Sequence, residues 1–163
     1  MDEKADNGNI ISQKSVKIEY EDDAASLYVK LTRTALAQLD EFVPLLKKDA
    51  VPQIKQDASK ANYWRKRNKF DGKIDFRMNS KAIYNLVRGL TRPYPGAHAV
   101  YKDTEIKIWK VKEVFSTFEN NIEPGKILDI LPSGNILVKA CDNAIEIIEH
   151  SSTTFPLKGE YFV

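Results

Sequence analysis

Ile83-Tyr84-Asn85-Leu86-Val87-Arg88-Gly89-Leu90-Thr91-Arg92-Pro93-Tyr94-Pro95-Gly96-Ala97 is the stretch on which the reading of the chain turns. Its first half has a helical period. Ile83, Leu86, Val87 and Leu90 recur at three and four residues and share one stripe. Ser80, just upstream, is a residue type that caps a helix. Its second half cannot continue that helix, because proline lacks the amide donor and pushes the preceding residue toward extended backbone. Pro93-Tyr94-Pro95-Gly96 is also dense in turn formers.

Downstream of this stop the chain reads as β. Strand-like runs are expected at 97–102, 105–112, 125–131, 135–140, 143–149 and 160–163, with turn signals at Lys102-Asp103, Pro124-Gly125, Pro132-Ser133-Gly134 and Asp142-Asn143. So many short strands in so little chain predict a small OB-like barrel. Trp109, close to Ile106 and Ile108, is assigned to its core. Cys141 is read as a small packing residue, His98 as facing solvent or satisfying a local bond, and His150 as a surface residue.

Upstream the pattern is helical again. Leu27, Leu31, Ala35, Leu39, Phe42 and Leu46 predict an amphipathic helix over roughly 23–48, with a kink or restart at Pro44. Ser15-Val16-Lys17-Ile18-Glu19-Tyr20 before it alternates as a half-buried strand does. Residues 49–79 show no period and are read as an ordered linker. The resulting division is 1–48, a strand-and-helix piece; 49–96, a basic linker and second helix; and 97–163, the barrel. The fold class is α+β.

Composition narrows the function. No apolar run is long enough to span a membrane, and the polar Met1–Asp6 terminus is no secretory signal. A soluble, cytoplasmic protein is expected. One cysteine forms no intramolecular disulfide and no thiolate cage, and two histidines make a His-rich metal site improbable, so no metal is assigned. There is no GxGxxG, P-loop, HExxH or CxxC.

The net charge of +2 conceals an uneven distribution. Residues 1–46 hold five Lys/Arg against nine Asp/Glu, residues 47–92 thirteen against four, and residues 93–163 seven against ten. A basic middle between acidic flanks points either to an anionic ligand or to a solvated basic face. Tyr63 and Trp64 beside Arg65-Lys66-Arg67 are the best ligand edge, because an aromatic next to cations suits a nucleotide diphosphate. Tyr63 and Arg67 are therefore the substrate-binding candidates.

Four segments, in order, resemble the formyltransferases that use a formylated folate. Ala5-Asp6-Asn7-Gly8-Asn9-Ile10-Ile11-Ser12-Gln13 is similar to the family's Asp-x-Gly-x-Ile-x-x-Gln segment, which closes the catalytic domain. The run from Asp22 through Ser26-Leu27-Tyr28-Val29-Lys30-Leu31 is similar to the helix that follows. Ser59-Lys60-Ala61-Asn62-Tyr63 to Arg67, with Asp71-Gly72-Lys73-Ile74-Asp75-Phe76, is the third, with Phe76 where the family often has Trp. The fourth is the 83–97 stretch.

The resemblance implies that 1–48 is the edge of a Rossmann-like catalytic domain. It also implies transfer of a formyl group from 10-formyltetrahydrofolate to a primary amine, with Asp6 as a catalytic carboxylate. The family's catalytic Asn and His lie upstream of that Asp, and neither they nor the folate loop occurs here. The chain is thus expected to be a C-terminal portion beginning at an internal Met, inactive alone and without cofactor of its own. Two acceptors compete: an amino sugar carried on a nucleotide, and initiator methionyl-tRNA. The acidic barrel and Arg92-Pro93-Tyr94-Pro95, in place of the tRNA enzymes' Asn-Pro-Trp-Pro, favour the sugar. A stand-alone OB-like binding module is the reading from a different class. Ile10, Ile11, Val16 and Ile18 are expected to stay partly bare and to promote association, as in a homodimer.

Overall fold

The computed structural model describes residues 6–119, 121–153 and 156–163. Ala5, which opens the Asp6 segment, lies outside them. The chain forms two compact units, residues 1–21 with 26–66, and residues 22–25 with 67–163.

The first unit is built on helix α1, Ala24–Leu46. The helix runs unbroken through Pro44. The expected restart does not occur: Pro44 sits in the last turn, and beyond it Lys47 N still donates to Val43 O at 3.1 Å. The residues before the helix do not form the expected strand at 15–20. A strand requires a partner ladder, and none of the described residues supplies one; Ile18 is 58% exposed and Val16 half-buried. The segment is instead held by a single antiparallel bridge, Ile10 to Ile54 with N–H···O distances of 2.9 and 3.0 Å, and by Gln38 Nε2 donating to Ser12 Oγ at 2.7 Å. Helix α1 buries none of its residues, and Leu31, Leu36, Leu39 and Leu46 are all exposed.

The second unit carries the core. Helix α2, Ser80–Leu90, starts one residue earlier than the predicted cap: Asn79 Oδ1 accepts from Ala82 N at 2.7 Å. Ser80 is then the first helical residue, and Asp142 Oδ1 accepts its N–H at 2.7 Å. Ile83 and Val87, four apart, are fully buried against the sheet.

Five antiparallel strands follow: β1 Ala97–Tyr101, β2 Thr104–Val114, β3 Ile127–Ile130, β4 Ile136–Lys139 and β5 Ala144–His150, in the spatial order β1-β2-β5-β4-β3. The sheet curls, and the C-terminal residues bridge its two outer strands. Val163 exchanges both backbone bonds with Val100 of β1, at 2.8 and 2.9 Å. On the other side Ile127 N donates to Glu160 O and Phe162 N to Gly125 O, at 2.8 and 2.9 Å. The 160–163 run thus covers edges that would otherwise be open. Ile106, Ile108, Ile127, Ile136, Ile145 and Ile147 fill the interior with at most 2% exposure.

Strand β2 changes phase midway. Ile106 and Ile108 face the core, and so do Val111 and Glu113, an odd step that strict alternation forbids. The register breaks there: Ile108 opposes His150, Lys110 opposes Glu149 and Val111 opposes Ile147, so Trp109 on β2 and Ile148 on β5 both fall at the irregularity and the register recovers beyond it. The core assignment of Trp109 is therefore corrected. With Ile106 and Ile108 pointing inward, residue 109 points the other way, and it is half-buried. No helix among the described residues is long and apolar enough to cross a membrane.

Candidate functional site

Asp6 lies in the first unit with φ of 62°, a left-handed conformation that aspartate tolerates better than most residues. Its backbone carbonyl accepts from Gln56 Nε2 at 2.8 Å, and the same amide donates to Gly8 O at 2.7 Å. Tyr63 is 94% exposed and Trp64 81%. Arg67 belongs to the second unit, where its Nη1 lies 3.7 Å from Asp71 Oδ1. Each of the three sequence-selected residues has its own setting: Asp6 with Gln56, Arg67 with Asp71, Tyr63 open to solvent.

The loop holding Asp71 is well fixed. Asn68 caps a short 3-10 turn at Lys69–Gly72, accepting from Phe70 N while Asp71 accepts from Asn68 N. Behind it Ile74 N donates to His98 O at 2.7 Å, which clips the loop to β1. Asp75 is gripped by Arg77 Nε and Nη2, and these bonds bring its carboxyl down to about 2.

His98 is the residue the sequence reading missed. The solvent-facing reading of it fails, since it is 4% exposed. Strand β1 is covered on both faces, so alternation carries no signal for which of its side chains are buried. Burial pushes the imidazole below its ordinary value, against a smaller opposing pull from Glu105. His98 Nε2 stands 3.9 Å from Glu105 Oε2, beyond hydrogen-bond reach. Glu105 in turn binds Lys69 Nζ at 2.7 Å and Lys107 Nζ at 3.0 Å, and these two bonds lower its carboxyl to about 2.

Two smaller corrections concern Cys141 and His150. Cys141 is exposed rather than packed, because the β4–β5 turn carries it outward. His150 is half-buried, and its Nδ1 accepts from Ser152 N at 3.1 Å. Among the described residues no group of three His, Cys, Asp or Glu is arranged to hold a metal ion.

A helix that ends in a Pro-Tyr-Pro-Gly turn and feeds a curled five-stranded sheet defines a class. Residues 66–159 match the family model described as "Formyl transferase, C-terminal domain", and the chain belongs to that family. Among curated relatives, it is 35% identical over 153 residues to the bifunctional polymyxin resistance protein ArnA of Wigglesworthia glossinidia brevipalpis, an alignment covering 94% of this chain and 22% of that protein. It is 37% identical over 152 residues to the methionyl-tRNA formyltransferase of Halothermothrix orenii, covering 91% and 48%. The chain therefore spans half or less of the length of these relatives. Its fold resembles HypX from Aquifex aeolicus in complex with tetrahydrofolic acid, with a TM-score of 0.65 at 16% identity over 94% of this chain and 26% of that one. It also resembles the N-formyltransferase from Helicobacter canadensis in complex with folinic acid and dTDP-3-aminofucose, with a TM-score of 0.63 at 20% identity over 90% and 52%.

Proposed function

We propose that the chain is the C-terminal part of an enzyme that transfers a formyl group from 10-formyltetrahydrofolate to the amine of a nucleotide-linked amino sugar. The reaction requires a neutral amine, donors for the oxyanion of the tetrahedral intermediate, and a carboxylate to orient an imidazole or take a proton. Asp6 is assigned the carboxylate role. Tyr63 and Arg67 are assigned to the acceptor, as a stacking face and a phosphate partner.

The observation that carries the sugar reading is the acidic balance of residues 93–163, with seven Lys/Arg against ten Asp/Glu. Within that segment Lys102 and Lys158 each pair with a carboxylate, Glu160 and Asp129 respectively. A groove that tracks an RNA backbone needs cations available to phosphates. Methionyl-tRNA is the second reading, favoured by the exposed Tyr63 and Trp64 beside the 65–67 cationic cluster. Binding of initiator tRNA to the chain, titrated with salt, separates them. Weak binding with a shallow salt slope is expected. A steep slope with micromolar affinity would overturn the sugar reading.

A further inference from the structure

We infer that the cleft between the Lys69–Gly72 turn, α2 and the β1–β2 hairpin is a binding site for a small ring-bearing anion, a ligand with one flat ring and one phosphate or carboxylate. The cleft encloses about 750 Å³, within the range of small-molecule sites. All its lining residues lie within the second unit, between Arg67 and Lys107, so the site is complete without the first.

Its lining combines two chemistries. Leu86, Leu90 and Pro95 supply an apolar wall on which a ring can lie. The lining also holds Lys69 and Lys107, which converge on the single carboxylate of Glu105, at 2.7 and 3.0 Å. Two ammonium groups against one carboxylate leave one positive charge at this point. Each ammonium has three donors and spends one on Glu105, so the pair keeps N–H groups for an incoming anion. Glu105 thereby orients two flexible lysines that would otherwise lose more entropy on binding. His98 lines the cleft too, its side chain 5% exposed, with Nε2 3.9 Å from the Glu105 carboxylate. An imidazole at this depth offers one donor and one acceptor to a ring substituent or a hydroxyl. A buried histidine of purely structural role would be expected to spend Nε2 on a protein partner at hydrogen-bond distance.

Two sources share this ligand chemistry, a nucleoside monophosphate and an aromatic carboxylate. The test is calorimetric titration of the full chain with uridine monophosphate and, separately, with 4-aminobenzoate, using uridine and inorganic phosphate as controls. Submillimolar binding is expected for at least one of the two ring anions, with uridine and phosphate each at least about tenfold weaker because each offers only half of the contacts. Whichever anion binds identifies the source. Lys107→Ala should weaken binding about tenfold, and Leu86→Gln, in the apolar part of the lining, by a similar factor. Circular dichroism confirms that each variant is folded, and Lys69→Ala serves as the second cation variant if Lys107→Ala is not. No binding of either ring anion at 5 mM (about ten times the expected range) overturns the inference. So does binding that is indifferent to both substitutions, or phosphate binding as tight as either ring anion. Arg67, assigned above to the acceptor, also lines this cleft; none of these readouts involves formyl transfer, so failure of the site and failure of the proposed function are read separately.

Discussion

The Arg92 guanidinium lies 4.3 Å from the centre of the Trp109 ring and also pairs with Glu149. This contact joins the residue before Pro93 to the irregularity of β2, so the turn that ends α2 is held by a side chain at that break in register. Replacing Arg92 with alanine should cost about 0.5–1 kcal/mol, the usual worth of an exposed cation–aromatic contact. The exposed ion pair adds little to that. Arg92→Lys should recover part of the loss, as read from urea unfolding midpoints.

Gly96 meets the same ring. It has φ of 85°, and a Cβ placed there would sit 2.8 Å from Trp109 Nε1. Gly96→Ala therefore combines a left-handed backbone with a contact closer than real Cβ atoms show. A destabilisation of about 1–3 kcal/mol is expected. A substitution that leaves the unfolding midpoint unchanged would mean that the turn and Trp109 are not packed as described.

The sheet was legible because its punctuation is local. Pro95-Gly96, Lys102-Asp103, Pro132-Ser133-Gly134 and Asp142-Asn143 each mark a turn whatever the rest of the chain does, and the observed strands fall between them. The errors arose where a neighbour decides. A break in register is a property of two strands, so Trp109 reads as ordinary alternation until β5 is seen opposite it. His98 looks like a surface histidine until the 73–76 segment and β2 cover it from both sides. The 15–20 alternation failed for the converse reason: the pattern is present, but the ladder is not. Of the candidate site, Arg67 and the basic loop were visible as composition, whereas the Lys69–Glu105–Lys107 convergence joins residues from two distant elements and no spacing announces it.

Asp142 anchors the start of α2. Its carboxylate accepts from Ser80 N and from its neighbour Asn143 N, both at 2.7 Å, and Ser80 Oγ lies 3.3 Å from Oδ2 and 3.2 Å from Glu113 Oε1. Removing a charged acceptor from two backbone donors should cost about 1.5–3 kcal/mol. Asp142→Ala is thus expected to lower stability by that amount, while Asp142→Asn retains much of it. Burial and the Asp142 charge together raise the Glu113 carboxyl. Its folded form therefore holds a proton more readily than the unfolded chain, and this contribution weakens as pH rises. Glu113→Gln should stabilise the protein at pH 7 and do so less at pH 4, measured by thermal unfolding at both.

His98 makes the opposite contribution. Its imidazole titrates lower folded than unfolded, so below about 6.5 the unfolded chain binds more protons and stability falls as the solution is acidified. His150 is shifted the same way by burial and adds to the slope. Between pH 7 and pH 5 the wild-type chain should lose stability, and His98→Gln should lose less over the same interval while His150→Gln removes the remainder. Parallel curves for wild type and both variants would show that neither imidazole is held neutral by the fold.

Asp6 separates a catalytic role from a structural one. The contact that holds it uses its backbone carbonyl and the Gln56 amide, at 2.8 Å. Its φ of 62° suits asparagine as well as aspartate. Asp6→Asn should therefore leave the unfolding midpoint of this chain within about 0.5 kcal/mol. In the complete enzyme the same substitution keeps the shape and removes the negative charge that would orient an imidazole or accept a proton. Formyl transfer should then fall by about 10²–10⁴ in kcat, the range that general acid–base groups contribute, with little change in KM. Turnover within a few-fold of wild type would remove Asp6 from the mechanism. A matching loss of stability would mark it as a structural residue instead.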